Sequence, residues 1–565
     1  MNKFKKSIIA SLDKVLAGKT GIPVLEKPPD PTMGDYAFPC FSLAKHLKKN
    51  PAQIAKDLAG QIKPDQYISN IKAIGPYVNF FVNKEELAKD ILSEIYQKKG
   101  KYGSGKRKKG IVMIESPGPN TNKPLHLGHV RNMVLGNSLV NIYKFLGNKS
   151  IRVDILNNRG VHICKSMLAY EKFGNSKRPD KKTDHFVGEF YVKYAKELPD
   201  HPEFEDKIQE MLRKWESGDL EVRQLWSKMN DWAVKGIMQT YDRYGVAMDK
   251  PYFESDHYMK GKEIVKNGLE RGIFEKDEND NIVANLSKHG LGKKVVLRAD
   301  GTSIYITQDL VLAKIRYGDY KMDKMIYIVG NEHIHHFKVL FKIFEILKYP
   351  FAKDCYHLAY GMIYLPEGKM KSREGKVVDA DNLADNIHEM AKKEIKKRYK
   401  ELSTSEIDKR AEEIGMGAIK FFILKYDPMK DFIFNPKESL SFEGETGPYV
   451  QYTHARASSI LRKHKKQVVK NVDFSLLRTE EERAILGLLE QFPSLIEKSA
   501  ENYKPSLIAN YLIDLSQKFN EYYHKHQVIQ EDKELEKARI LLVCCVKQVL
   551  KIGLELLGIE ALEVM

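Results

Sequence analysis

Cysteine is scarce in this chain: five in 565 residues, namely Cys40, Cys164, Cys355, Cys544 and Cys545. Their number is odd and no C-x-x-C spacing occurs, so neither a disulfide framework nor a structural zinc is supported and a reducing cytosol is expected. Long apolar runs are also missing. The longest uninterrupted one, Ile540 to Val546, is too short to span a bilayer. The opening Met1-Asn2-Lys3-Phe4-Lys5-Lys6 is basic, but Asp13 and Lys14 break the apolar stretch behind it before it could form a signal core. No membrane partner is expected. There is no long-period repeat and no low-complexity segment of consequence. Acidic residues are in deficit, 76 against 93 Lys and Arg, for a formal charge of +17 and a pI of about 9.2. That excess favours a polyanionic partner, RNA among the candidates.

What is present is enough chain for about three or four domains at roughly 150 residues each. Residues 1–106 read as a small α/β domain. Asn50 caps a helix begun by Pro51, with Ile54, Leu58 and Ile62 on one face, and Ile74 to Val82 reads as a strand. A Gly/Lys-rich linker, residues 98–110, closes it. An α/β domain is expected over 107–375, interrupted by a polar, helix-rich stretch at about 175–250. A connecting region follows at 376–445, then a helical bundle at 446–565. Ile485, Leu488, Leu489 and Phe492 mark one amphipathic helix of that bundle, and Leu542, Val546, Val549 and Leu550 another.

The α/β domain opens on its most informative stretch. The apolar run Ile111-Val112-Met113-Ile114 reads as a strand, His126-Leu127-Gly128-His129 opens a helix running through Phe145, and Gly147 stops it. Ile151 to Leu156 is the next strand. This is a βαβ unit, in which nucleotides bind at the carboxyl ends of parallel strands. A helix N-terminus offers unpaired N–H groups and the positive dipole end, so a nucleotide phosphate there would meet backbone donors and two imidazoles together. The bland alternative makes His126 and His129, three residues apart, metal ligands or plain polar surface. A second element lies far downstream: Lys369-Met370-Lys371-Ser372-Arg373-Glu374-Gly375, after the apolar Tyr360 to Leu365.

Together and in this order, the two elements resemble the HIGH and KMSKS motifs of class I aminoacyl-tRNA synthetases, and the residues around them resemble the arginyl-tRNA synthetase family. The resemblance covers essentially the whole chain. It includes Asn120-Thr121-Asn122-Lys123-Pro124, Tyr305-Ile306-Thr307-Gln308-Asp309 and Gly447-Pro448-Tyr449-Val450-Gln451-Tyr452. Near the start, Gly34-Asp35-Tyr36-Ala37 and Gly75-Pro76-Tyr77-Val78-Asn79-Phe80 resemble that family's extra domain. The fold so implied is a Rossmann-like class I catalytic domain, an N-terminal α/β domain touching the tRNA D-loop, and a helical anticodon-binding domain at the end.

The implied reaction is ATP-dependent ligation of L-arginine to tRNA(Arg) through an arginyl-adenylate, in the cytoplasm. His126 and His129 would bind the phosphates in the transition state, with Lys369 and Lys371 on the leaving pyrophosphate. Phosphoryl-type transfer is mostly positioning and charge stabilisation, which suits these residue types. The second lysine of the commonest KMSKS order aligns here with Ser372, and Lys123 resembles the compensating lysine of the family. Gly128, Gly330, Met362 and Ser372 complete the ATP contacts that the resemblance implies. ATP is expected with Mg²⁺ as its counter-ion, with no protein carboxylate assigned to it.

A substrate guanidinium is a planar fork of donors best matched by carboxylates in fixed geometry. The family's positions map onto Glu115, Tyr305, Asp309 and Glu254, with Asn120 holding the substrate backbone. Two departures stand out: Gly118 replaces a usual serine, and His333 a frequent glutamine near the α-amino group. For tRNA, Tyr77 and Asn79 match D-loop contacts, while Tyr449, Tyr452, Arg456, Tyr523 and Met565 match positions around the anticodon. Bottom-up, basic and aromatic residues interleaved suit phosphate contact and base stacking, although helix packing is the plainer reading of Tyr449 and Tyr452. The resemblance further implies a monomer whose adenylation needs bound tRNA. Three other readings weigh less. A small HxGH nucleotidyltransferase would be far shorter, a non-catalytic paralogue would have lost the histidines, and a cysteine ligase would need a zinc site.

Overall fold

The computed structural model describes residues 3–16, 23–302, 304–364 and 378–565. The chain forms two compact units. Met1–Tyr102, Ala457–Phe492 and Gln517–Val549 make the first, and Gly103–Arg456, Pro493–Ser516 and Leu550–Met565 the second.

In the first unit an antiparallel sheet carries Tyr77–Val82 in the middle, between Tyr36–Pro39 and Ile68–Ile74. The strand anticipated from Ile74 to Val82 begins instead at Tyr77, and Ile74 closes a separate strand, Ile68–Ile74, with a turn at Gly75-Pro76 between them. Pro76 has no N–H to give to a ladder, which ends the pairing there. The helix Pro51–Gln61 packs on this sheet. Asn50 caps it by accepting from the Ala52 N–H at 2.9 Å, and Ile54 and Leu58 face the core. The C-terminal helices Glu480–Glu501 and Lys533–Leu556 add their stripes. Ile485, Leu489, Phe492, Leu542, Val546 and Val549 are buried in this unit. A buried Arg539–Glu482 pair at 2.9 Å lies among them.

The second unit is built on five parallel strands: Ile111–Glu115 (β1), Lys149–Leu156 (β2), Lys250–Phe253 (β3), Lys324–Gly330 (β4) and Cys355–Tyr360 (β5). They lie in the order β3-β2-β1-β4-β5. Met113, Ile151, Val153, Met325 and Tyr327 from the strands meet Leu310, Val339, Leu340 and Phe344 from covering helices in one core. β1 and β4 are apolar through their middles, as strands covered on both faces favour, while β2 also buries Arg152 and Asp154. Strand order reverses between β1 and β4, and at such a switch point the loops leaving the carboxyl ends part to form a crevice. Here those ends are Glu115 and Gly330.

Between β2 and β3 the chain inserts helices Thr183–Glu197, Phe204–Ser217 and Leu220–Tyr244. With Val161–Phe173 they enclose a separate core of Met167, Phe186, Phe190, Phe204 and Ile208. The last residues of the chain are tied within this unit: Ser138 Oγ donates to the Leu556 carbonyl at 3.0 Å and Gln451 Nε2 to that of Glu560 at 2.9 Å.

Candidate active site

The helix Leu127–Phe145 begins at the carboxyl end of β1, and its first turn is closed by the two histidines. His126, the capping residue, accepts on Nδ1 from the Gly128 N–H at 3.1 Å, and His129 Nδ1 accepts from the His126 N–H, also at 3.1 Å. The rings lie 3.9 Å apart, tilted by 41°. A neutral imidazole whose Nδ1 accepts carries its proton on Nε2, so both rings present N–H donors. Burial, with the charge of Lys123 adding to it, lowers the His126 pKa to about 4. That of His129 falls well below the usual value through burial, His126 and Lys123. The pair therefore offers neutral donors at neutral pH. Gly128 is required because a Cβ there would come within 3.0 Å of His126 Nδ1 and displace the ring.

A cavity of about 570 Å³ opens beside this turn, lined by Lys123, His126, His185, Tyr191 and Asp379 among others. Burial holds the Lys123 pKa below its usual value. Lys369, Lys371 and Ser372 lie outside the described residues, but the chain on either side is anchored. Ile363–Tyr364 pairs with Phe432–Ile433, and the Val378 carbonyl accepts from the Leu127 N–H at 2.9 Å. Ala380 N–H donates back to Leu125 O at 2.9 Å, so Asp379 sits directly across from His126.

Sequence reasoning passed over Arg131, one turn into the same helix. The residue is 1 % exposed, and its guanidinium is in no ion pair with a carboxylate among the described residues. It donates instead to main-chain carbonyls, those of Gly361 and Met362 on one side and Asp427, Pro428 and Lys430 on the other. Met362 is thus held by its backbone while its side chain is exposed. Gly330 ends β4 at the switch point, and Asn132 of the same helix donates to the Ile328 carbonyl at 2.6 Å.

Four acidic side chains gather beyond the carboxyl ends of β1 and β3. Glu115 is paired with the buried Arg316. Glu254 accepts from Gln308 at 2.6 Å and lies 3.5 Å from Arg159, which also pairs with Glu216. Asp309 accepts from, or shares a proton with, His336 Nε2 at 2.7 Å. The negative charge of Asp309 acts on both Glu115 and Glu254, whose pKa values burial raises first. Four carboxylates thus face two guanidiniums, leaving an acidic surplus. Asp309 and Glu216 are the members about a third exposed, and of the two Asp309 has no arginine partner among the described residues, whereas Glu216 is held by Arg159. Tyr305, one turn before it, is 73 % exposed.

The sequence did not reveal that Glu115 and Glu254 already have internal arginines, since Arg316 and Arg159 are remote in the chain from their partners. His333 is exposed and faces Glu332 at 3.7 Å, whereas His336, three residues on, reaches Asp309. Gly118 has φ +75°, a conformation unfavourable to serine, and donates its N–H to Asp154 at 2.7 Å. Asn120 lies in a parallel bridge with Asn157.

Of the residues matched to tRNA contacts, Tyr77 is half-buried and meets the exposed Phe41 edge-on at 5.6 Å, while Asn79 is buried. Tyr449, Tyr452 and Arg456 share a face of Gly447–His464, with the Arg456 guanidinium 4.8 Å from the Tyr452 ring. Tyr523, in the other compact unit, is exposed. Met565 is buried, and its carbonyl accepts from the Tyr399 hydroxyl.

One acidic cluster has metal-like spacing among the described residues: Asp184, His185 and Asp381. Its centre is filled by the ammonium of Lys182, which reaches both Asp184 oxygens and Thr240 Oγ1 at 2.8 Å and Asp381 at 3.0 Å. The donor set therefore does not fit a resident cation.

A doubly wound sheet with paired histidines at its switch-point helix defines a class I aminoacyl-tRNA synthetase, and the family model for the catalytic domain of class I (R) tRNA synthetases matches residues 91–436. The DALR anticodon binding domain matches residues 450–565, and the arginyl tRNA synthetase N-terminal domain residues 2–82. The chain belongs to the arginyl-tRNA synthetase family. It is 46 % identical to the arginine–tRNA ligase of Treponema denticola over 98 % of this chain and 96 % of that one. It is 43 % identical to that of Treponema pallidum over 96 % and 95 %. The solved arginyl-tRNA synthetase of Thermus thermophilus superposes with a TM-score of 0.86 at 26 % identity, covering 99 % of this chain and all of that one.

Proposed function

We propose that the chain activates L-arginine with ATP and transfers it to tRNA(Arg), and that the residues above divide the work as follows. The substrate carboxylate attacks the α-phosphate, pyrophosphate leaves, and the 3′-terminal hydroxyl of the tRNA then takes the aminoacyl group from the adenylate, releasing AMP. His126 and His129 donate Nε2–H to the phosphates as negative charge develops. As neutral donors they stabilise that charge without first having to gain a proton. Lys123 adds positive charge from the same turn, and Lys369, Lys371 and Ser372 are assigned the leaving pyrophosphate by motif. ATP brings Mg²⁺ with it. Gly128, Gly330 and Met362 line the nucleotide.

Asp309 and Tyr305 receive the substrate guanidinium, while Glu115, paired with Arg316, and Glu254, which shares Arg159 with Glu216, shape the acidic surroundings rather than take the guanidinium alone. Asn120 and His333 are assigned the substrate backbone and its α-amino group. Tyr77, Asn79, Tyr449, Tyr452, Arg456, Tyr523 and Met565 are assigned to tRNA. The enzyme acts as a cytosolic monomer. The paired histidines closing the first turn of the switch-point helix carry the reading. Its test is arginine-dependent ATP–pyrophosphate exchange, with and without tRNA and with other amino acids as controls. Exchange with arginine only in the presence of tRNA is expected, and no exchange under any condition would overturn the reading.

A further inference from the structure

At the opposite end of the sheet from the histidines, a hollow of about 900 Å³ opens at the amino ends of β1 and β2. Over strands of five and eight residues this is roughly 15–25 Å from the carboxyl ends. Its lining carries five cations, Arg107, Lys108, Lys109, Lys144 and Lys149, and no carboxylate. All five are exposed, and none is in an ion pair among the described residues. Two stretches of chain supply them, and these are fixed to each other: Gly105 N–H donates to Phe145 O at 3.1 Å and Lys108 N–H to Gly147 O at 2.8 Å. The cations are thus held together by the backbone against their mutual repulsion; Asp323, which accepts from the Ile111 N–H at 2.6 Å and lies against Gly110, is the carboxylate beside them and is in no ion pair with any of the five among the described residues.

We propose that this hollow is a second docking site for the phosphodiester backbone of the tRNA substrate. The inference rests on the reading of the chain as a tRNA-charging enzyme. A single small anion calls for buried, convergent donors, whereas cations exposed and spread along a wide hollow match a strand of regularly spaced charges, whose bound counterions are released on contact. Phosphate contacts of this kind position a nucleic acid without reading its sequence. The hollow would therefore anchor the tRNA at a distance from the chemistry.

The test uses the full-length protein with Lys108→Glu/Lys109→Glu and, separately, Lys149→Glu. Lys260→Glu/Lys266→Glu, on the exposed face of the helix Tyr258–Glu270, is the control for net charge. Filter binding of tRNA across a salt series and steady-state charging are both measured. In the double variant the Kd and KM for tRNA should rise about tenfold, and the slope of log affinity against log salt should fall by about 1.5. The KM values for arginine and ATP, and kcat at saturating tRNA, should stay unchanged. An unaltered tRNA KM and salt slope, or an equal effect in the control, would overturn the proposal and leave the charging reading intact. Should the wild-type protein fail to charge arginine, the charging reading falls while the binding arm still decides whether the hollow holds RNA. Loss of inorganic phosphate binding without any change in tRNA binding would count against the proposal.

Discussion

Asp309 and His336 form a pair in which one carboxylate oxygen is committed at 2.7 Å and the rest of the group remains accessible. Asp309→Asn keeps the shape and removes the charge. It is expected to raise the KM for arginine about 100-fold, or about 2.7 kcal/mol, while the KM for ATP moves less than about twofold. Equal effects on both, measured by exchange kinetics, would remove Asp309 from the guanidinium site. At the same scale, the histidines make a statement about pH. The folded-state pKa of His126, about 4, lies below its unfolded value, so folding favours the neutral ring. No penalty arises above about pH 6.5, and one grows as pH falls toward 4. The His126 ring resonance should stay flat from pH 8 to about 5.5. A midpoint near 6.5 would mean that burial does not hold the ring neutral.

Helices and loops are held here by interactions that no single element contains. Arg131 joins the histidine-bearing helix to two loops through five carbonyls, and Lys182 fills a cage of Asp184, Asp381 and Thr240 that joins the inserted helices to the helix Ala380–Arg398. Removing one partner of a buried ionic cluster leaves uncompensated charge, at a cost of about 3–5 kcal/mol. Lys182→Ala should therefore unfold at lower temperature in the presence of a chelator. It should recover part of that loss with Zn²⁺ or Mn²⁺, because Asp184, His185 and Asp381 then surround an empty centre with ligand atoms within 4.8 Å of one another. The wild type should be indifferent to the metal. A variant as stable as wild type in chelator would show that the cage carries little of the local stability.

For the molecule as a whole, the formal charge of +17 and the tied-down C-terminus bear on tRNA. Met565 is buried and its carbonyl holds Tyr399. Its deletion is expected to raise the KM for tRNA about fivefold, a change of about 1 kcal/mol, with the KM values for arginine and ATP unchanged. Charging kinetics identical to wild type would reduce Met565 to a packing residue.

The elements near the histidines were legible in the sequence because their causes are local. An apolar strand run, a capping residue with glycine two positions on and a stop glycine predict the Ile111–Glu115 strand and the Leu127–Phe145 helix to within a residue or two. The hairpin at Gly75-Pro76 was missed although Gly-Pro is a turn signal, because its first strand, Ile68–Ile74, is mostly solvent-facing and carries no regular apolar alternation. The order β3-β2-β1-β4-β5, which creates the crevice, depends on crossovers through distant chain and has no local signature. The same reason hid the partners of the acidic residues: Glu115 meets Arg316 and Glu254 meets Arg159 from far along the chain. Sequence alone thus determined which residue types were available, the periodicity of each element and the class of ligand that the charge favours. Only the tertiary structure decided which carboxylates remain unneutralised, which tautomer the histidines adopt and which lysines converge, because each is set by groups that meet only when the chain has folded.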